Sequence, residues 1–228
     1  DTNFVVIDAT VDAPNVQSIR FDEHTGSFLV GALAAMKSDS GTYGFVGGMD
    51  VPLIHRFYCG YAQGVRAVNG DAKLIETYTG TTPAAWNDPV TAGELAKAAI
   101  DQGAEVVFAA AGGSGLGVLQ TMADAGKYSI GVDSNQNSLH PGSVLTSMEK
   151  RVDNAVIAAF NSAGDDATFT PGPTNLGLDG DFVGYSLDEY NKDLITEDMV
   201  AQVEALKAKI LSGELVVHDY ETDMNCPL

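Results

Sequence analysis

At 228 residues the chain is long enough to bury a sizeable core in one large domain or two small ones, which excludes a disulfide-dense mini-protein. Its 12 basic and 31 acidic residues leave a formal net charge of -19, so a phosphate backbone would be repelled and nucleic acid is not an expected partner. Hydrophobic residues at 45% and charged residues at 19% are a globular rather than a disordered balance.

The first apolar run, Phe4-Val5-Val6-Ile7-Asp8, reads as a buried strand, so the chain opens in mid-fold and a segment upstream is expected. Short apolar runs then alternate with stretches of 3.6-residue periodicity, the pattern of a parallel sheet with helices between its strands. A helix is expected over 21–36, with Phe21, Phe28, Leu29, Leu33 and Met36 apolar and Gly26 and Gly31 small enough for close packing. A strand from Thr42 runs into Gly47-Gly48, and Pro52 opens a helix that continues to residue 68. Next come a strand over 73–78, a helix over 89–102 ended by Gly103, and a buried strand over 105–111. Gly112-Gly113-Ser114-Gly115 starts a helix to residue 125, and a strand over 128–132 ends at Asp133. After Pro141-Gly142 an extended stretch over 143–147 and a helix over 151–161 read as a return crossing between two halves. Residues 164–184 read as loop and edge strand, and 196–211 as an amphipathic helix ended by Gly213.

Cys59 and Cys226 have the spacing of neither a redox pair nor a zinc site; they read first as one half-buried thiol and one tail thiol, and a disulfide between them would need the last residues to fold back onto the segment around Cys59. His24, His55, His140 and His218 are scattered without the partners of a metal site or a triad, so no metal, cofactor or catalysis is assigned. No apolar run approaches the roughly 20 residues of a membrane span.

In an open parallel sheet, ligands gather outside the carboxyl ends of the strands. Three segments place Gly or Asp there. In Gly47-Gly48-Met49-Asp50-Val51-Pro52 the glycines allow close backbone approach, and Asp50 faces a guest or simply caps the next helix. Gly112-Gly113-Ser114-Gly115-Leu116-Gly117 matches neither a dinucleotide fingerprint nor a phosphate loop, and it lacks the glycine that a serine nucleophile elbow needs at position 116. It remains an array of backbone donors. The third segment, Gly131-Val132-Asp133-Ser134, ends a strand with a carboxylate able to hold two sugar hydroxyls at once. Trp86, the one tryptophan, lies in a polar loop; it either anchors the core or stacks on a heterocycle, with Asp88 two residues on. Lys150 ends the return segment, where its ammonium reaches a cleft or is an ordinary solvated lysine.

These residues resemble the basic membrane protein (Bmp, PnrA-like) family of substrate-binding lipoproteins of ABC transporters. The likeness runs in order through Asn15-Val16, Phe21, Gly26, Leu29 and Gly31; Gly44-Phe45-Val46-Gly47-Gly48-Met49-Asp50-Val51-Pro52; Phe57 and Gly60; Asp88-Pro89 and Gly93; Ala110 to Gly115; Ile130-Gly131-Val132-Asp133; and Val144 to Lys150, thinning after Asn175. The resemblance implies a type I periplasmic-binding-protein fold: two doubly wound α/β lobes joined by crossing hinge strands that close on a ligand. Residues 1–40 and 141–173 are expected to form what remains of the first lobe, and 41–140 with 174–228 the second. The family's opening units, its lipid-bearing cysteine and its Asp-x-Ser-Phe-Asn segment have no counterpart here, so the first lobe is expected to be incomplete.

By this resemblance the ligand is a purine nucleoside, with Trp86 as one stacking ring, Asp133 and Lys150 on the ribose, Gly112 and Gly113 at a backbone contact, and Asp88, Met49 and Asp50 beside them. It implies a periplasmic or cell-surface receptor, lipid-anchored in its precursor, that serves a membrane permease and catalyses nothing. Three alternatives stay open: a nucleoside-cleaving enzyme using Asp133 or Asp88, a receptor for another flat heterocycle or a sugar, and the effector lobe of a transcription regulator. The last needs a basic helix-turn-helix that residues 1–10 do not offer.

Overall fold

In the computed structural model, which describes residues 2–162 and 169–228, the apolar runs become parallel strands and the periodic stretches become helices laid over them. A small sheet holds β1 (Phe4–Ile7), β2 (Val16–Phe21) and β8 (Gly172–Leu176) in the order β1-β2-β8, all parallel. A large sheet holds β3 (Thr42–Met49), β4 (Lys73–Gly80), β5 (Val106–Ala110), β6 (Tyr128–Asp133), β7 (Val144–Lys150) and β9 (Val183–Tyr185). Its order is β4-β3-β5-β6-β7-β9, parallel except for β9, which runs against β7.

Both faces of the sheet are covered at β3, β5 and β6, which is why these strands read as short, largely apolar runs. Alternate side chains divide between two cores. Tyr43, Phe45, Val106, Phe108 and Ile130 pack toward α1 (Glu23–Lys37) and α2 (Pro52–Val68), while Val46, Val107 and Ala109 pack toward α3 (Pro89–Asp101) and α4 (Gly115–Asp124). Gly60 and Gly64, one turn apart on α2, lie against the carbonyls of His24 and Phe28 on α1, so closely that a Cβ at either position would collide with backbone. This spacing seats the two helices together. α6 (Glu197–Ser212) packs outside α1, and α5 (Val152–Ser162) follows β7.

The expected helix over 21–36 begins later than its periodicity suggests. Val16, Ser18, Ile19 and Phe21 are buried in β2, and the helix starts only at Glu23. Part of the expected loop over 164–184 contains β8 and β9, and its residues 164–168 lie outside the described residues.

The reading of two free thiols is overturned: Cys59 and Cys226 form a disulfide, with their Cα atoms 5.5 Å apart. The tail is brought there by polar contacts along α2. The Gln63 amide donates to the His218 carbonyl at 2.9 Å and accepts from the His218 N–H at 2.8 Å. The Arg56 guanidinium donates to both Asp219 carboxylate oxygens, at 2.7 and 2.8 Å.

The chain passes between the sheets at Asp22, at Arg151 and over 177–182. These passages lie side by side, with the Asp22 N–H donating to the Leu176 carbonyl at 2.9 Å and the Arg151 N–H to the Phe182 carbonyl at 2.8 Å. The sheets therefore divide the chain elsewhere than at 1–40 and 141–173. α1 buries Phe28, Leu29 and Leu33 against the large-sheet body, β7 is a strand of the large sheet, and β8 holds residues 174–176 in the small one.

Candidate ligand-binding cleft

The carboxyl ends of β5, β6 and β7, the start of α2 and the end of β1 converge on one cavity of about 200 Å³, lined by Asp8, Leu53, Ile54, Phe57, Trp86, Ala110, Gly112, Val132, Asp133 and Lys150. Four residues singled out from the sequence, Trp86, Gly112, Asp133 and Lys150, thus meet around a single space. Asp133 and Lys150 also line an adjoining recess of about 450 Å³ with Ser134, Asn135, Glu149 and Arg151.

Trp86 sits in the short helical turn Pro83–Asn87, half-buried, with its ring against Gly48. A Cβ on Gly48 would overlap the indole, which gives that glycine its purpose. Ser114 fastens the turn from below: its hydroxyl donates to the Ala85 carbonyl at 2.7 Å and accepts from the Asp88 N–H at 2.6 Å. Ser114 is fully buried in this bridge. Gly112 adopts φ 56°, a left-handed conformation that brings backbone to the cavity without a side chain in the way.

Asp133 has φ 66°, uncommon for a residue with a Cβ. The loop after it holds that conformation in place. Gln136 Oε1 accepts from the Val132 N–H at 2.9 Å, and the Ser147 hydroxyl accepts from the Gln136 N–H at 2.9 Å. The Asp133 carboxylate receives no hydrogen bond among the described residues. It is open to solvent within the cleft yet crowded by protein. That crowding raises its pKa, while Lys150 pulls it down and Asp8 adds to the rise.

Lys150 is 7% exposed. Its ammonium lies 2.5 Å from Asp8 Oδ2, 3.3 Å from Glu23 Oε1 and 5.1 Å from the centre of the Phe21 ring. Burial works against its charge, but Glu23, Asp8 and Asp133 together outweigh that and raise its pKa. Glu23, 1% exposed, accepts in turn from Arg56 Nη1 at 2.7 Å.

Other expected positions lie off the cavity. Asp88 caps α3, accepting from the Thr91 N–H at 3.0 Å and the Thr91 hydroxyl at 2.7 Å, and these two bonds hold its carboxyl below the usual range. Asp50 pairs with His55 Nε2 at 2.8 Å, and Met49 closes β3. Gly113 lies beneath the Trp86 carbonyl rather than in the cavity lining. Conversely, Asp8, Leu53, Ile54 and Phe57 line the space and were not singled out. Pro52 signalled a helix starting at the end of β3, which places its first turn over the cleft.

The profile of the Bmp family, described as ABC transporter substrate-binding protein PnrA-like, matches residues 1–221. The chain belongs to this family. Among curated relatives, CD4+ T-cell-stimulating antigen of Listeria innocua is 35% identical over 94% of this chain and 63% of its own length. Basic membrane protein A of Borreliella afzelii is 29% identical over 89% and 61%. The chain therefore spans a little under two thirds of the length of these two relatives.

A solute-binding protein of an ABC transporter system from Aeropyrum pernix K1 superposes with a TM-score of 0.82 at 29% identity, over 96% of this chain and 72% of that one. One from Conexibacter woesei gives 0.74 at 23% identity over 96% and 72%, a likeness of fold. This Bmp chain thus has the fold of ABC solute-binding proteins. The family's description is of substrate binding, and it names no reaction. Its members work in the extracellular or periplasmic space, and among the described residues no helix is long and apolar enough to cross a membrane.

Proposed function

We propose that this chain is the ligand-capturing part of an ABC importer's receptor, and that its ligand is a neutral flat heterocycle carrying a hydroxylated sugar, most specifically a purine nucleoside. The observation that carries this reading is the convergence of Trp86, Gly112, Asp133 and Lys150 on one cavity beside the passages between the sheets. The indole face offers a stacking surface worth roughly 1–3 kcal/mol per base. Leu53, Ile54, Phe57 and Val132 supply apolar walls, and the unbonded Asp133 carboxylate is free to take sugar hydroxyls.

The cavity alone is smaller than the ~300 Å³ at which ligand sites usually begin. The ligand therefore extends into the adjoining recess, where Asp133 and Lys150 form the shared wall. Ring contacts and charge-assisted hydrogen bonds stabilise the shut arrangement over the open one. The loaded receptor then delivers its ligand to a membrane permease, and the longer precursor carries a lipid anchor.

The test is calorimetry with inosine and adenosine, together with mass spectrometry of any small molecule that copurifies. The intact nucleoside should be recovered, and Asp133→Ala should weaken binding by about tenfold or more, roughly 1.4 kcal/mol. No nucleoside affinity in the wild type, or an unchanged affinity in Asp133→Ala, overturns the reading.

A further inference from the structure

Lys150 has two carboxylate neighbours that differ in what carries them. Asp8 follows β1 of the small sheet. Glu23 begins α1, which packs on β7 itself, so Glu23 and Lys150 travel together in the large-sheet body. In a ligand-admitting separation of the sheets, as the proposed function requires, Asp8 would leave with β1 and Glu23 would stay with β7.

Glu23 is built for that moment. It is 1% exposed, and its Oε2 is fixed by Arg56 Nη1 at 2.7 Å, while Arg56 is itself held by Asp219 and the Phe21 carbonyl. Its Oε1 is buried and accepts no hydrogen bond among the described residues, although the Lys150 ammonium is 3.3 Å away. The ammonium is drawn to Asp8 at 2.5 Å instead. A buried carboxylate oxygen left unbonded beside a donor is a position waiting for it.

We propose that Glu23 is the positioning residue that keeps the Lys150 ammonium charged and aimed into the cleft while the two sheets are apart, with Asp8 joining it only when they are together. This rests on the reading of Lys150 as a ligand contact. The charged groups facing Lys150 are Asp8 after β1, Glu23 on α1 and Asp133 at the end of β6; Arg56 on α2 stands behind Glu23. On its own segment, Glu149 and Arg151 bond each other. Without Glu23, once Asp8 has moved away only Asp133 faces Lys150, and losing opposite charges beside an ammonium favours the neutral amine.

The test follows the Lys150 Nζ by NMR titration of nitrogen-labelled lysines, assigned with Lys150→Arg. In the wild type and in Asp8→Asn, Lys150 should titrate above an ordinary exposed lysine. In Glu23→Gln it should titrate about one unit lower than in the wild type, a tenfold larger neutral fraction at a given alkaline pH. Glu23→Asp, which keeps the charge, should recover part of the shift.

Calorimetry with adenosine, whose base carries no acidic ring N–H, should then show Glu23→Gln losing affinity between neutral and alkaline pH while the wild type holds it. An unshifted Lys150 in Glu23→Gln overturns the proposal. So does a fall below ordinary lysine in Asp8→Asn, which decides the matter even where Glu23→Gln does not fold. If the titrations behave as expected and the wild type binds neither adenosine nor inosine, the nucleoside reading fails and the role of Glu23 toward Lys150 stands.

Discussion

The Lys150 ammonium lies 2.5 Å from the Asp8 carboxylate, and this pair joins the end of β7 in the large sheet to the turn after β1 in the small one. Asp8 has φ 61°, a left-handed conformation that turns the chain out of β1 at the cavity wall. A second ion pair, Arg20 with Glu221, also spans the two bodies, from β2 to the tail segment against α2.

Asp8→Asn removes the charge at the first of these bridges and leaves the second in place. A hydrogen bond to a charged group contributes about 1.5–3 kcal/mol, so the balance should move toward separated sheets by that order. Small-angle scattering of the unliganded variant should give a larger radius of gyration than the wild type. An equal radius in both would mean that the pair does not hold the bodies together.

The disulfide closes a loop between positions 167 apart and pins the tail that supplies Asp219 to Arg56. Replacing both cysteines by serine should lower stability by about 2–5 kcal/mol, the usual range for loss of a native bridge. Urea denaturation should show a lower midpoint for the double variant, and the wild type under reductant should behave likewise. A midpoint that is the same with and without reductant would contradict the bond.

His24 is held neutral in the fold, its pKa lowered from 6.5 to about 4, chiefly by burial, with Arg56 and His218 pushing the same way and Asp219 opposing. Because the folded value is depressed, the unfolded chain takes up this proton first on acidification. The contribution is complete above pH 6.5 and is lost as pH falls toward 4, an effect on the order of 3 kcal/mol. Asp22 and Glu23, both raised mainly by burial, act in the opposite sense because the folded state protonates them more readily. The comparison that isolates His24 is therefore wild type against His24→Gln across this range. The variant should lose the part of the acid slope that His24 causes, and identical slopes would exclude the assignment.

Much of the large sheet was legible in sequence because β3, β5 and β6 are buried on both faces and so must be short apolar runs, with Gly or Asp marking their carboxyl ends. The same rule picked out Gly112 and Asp133, while Trp86 and Lys150 joined them through the family resemblance. The rule could not say which neighbours turn inward. Asp88 spends its carboxylate on the first turn of α3, and Asp50 pairs with His55, because local partners three to five positions away are met before any cleft is.

The sequence by itself determined the alternation of strand and helix and the strand ends that carry Gly or Asp, since both depend on patterns within a few residues of one another, and it determined the family through matches kept in order along the chain. Only the tertiary structure decided that Cys59 meets Cys226, that Arg56 and Glu23 are buried together, and that Asp8 reaches Lys150. Those partners stand 167, 33 and 142 positions apart. A charge is tolerated inside a protein only beside its partner, and the packing of α1 on α2 and of one sheet beside the other is what creates that adjacency.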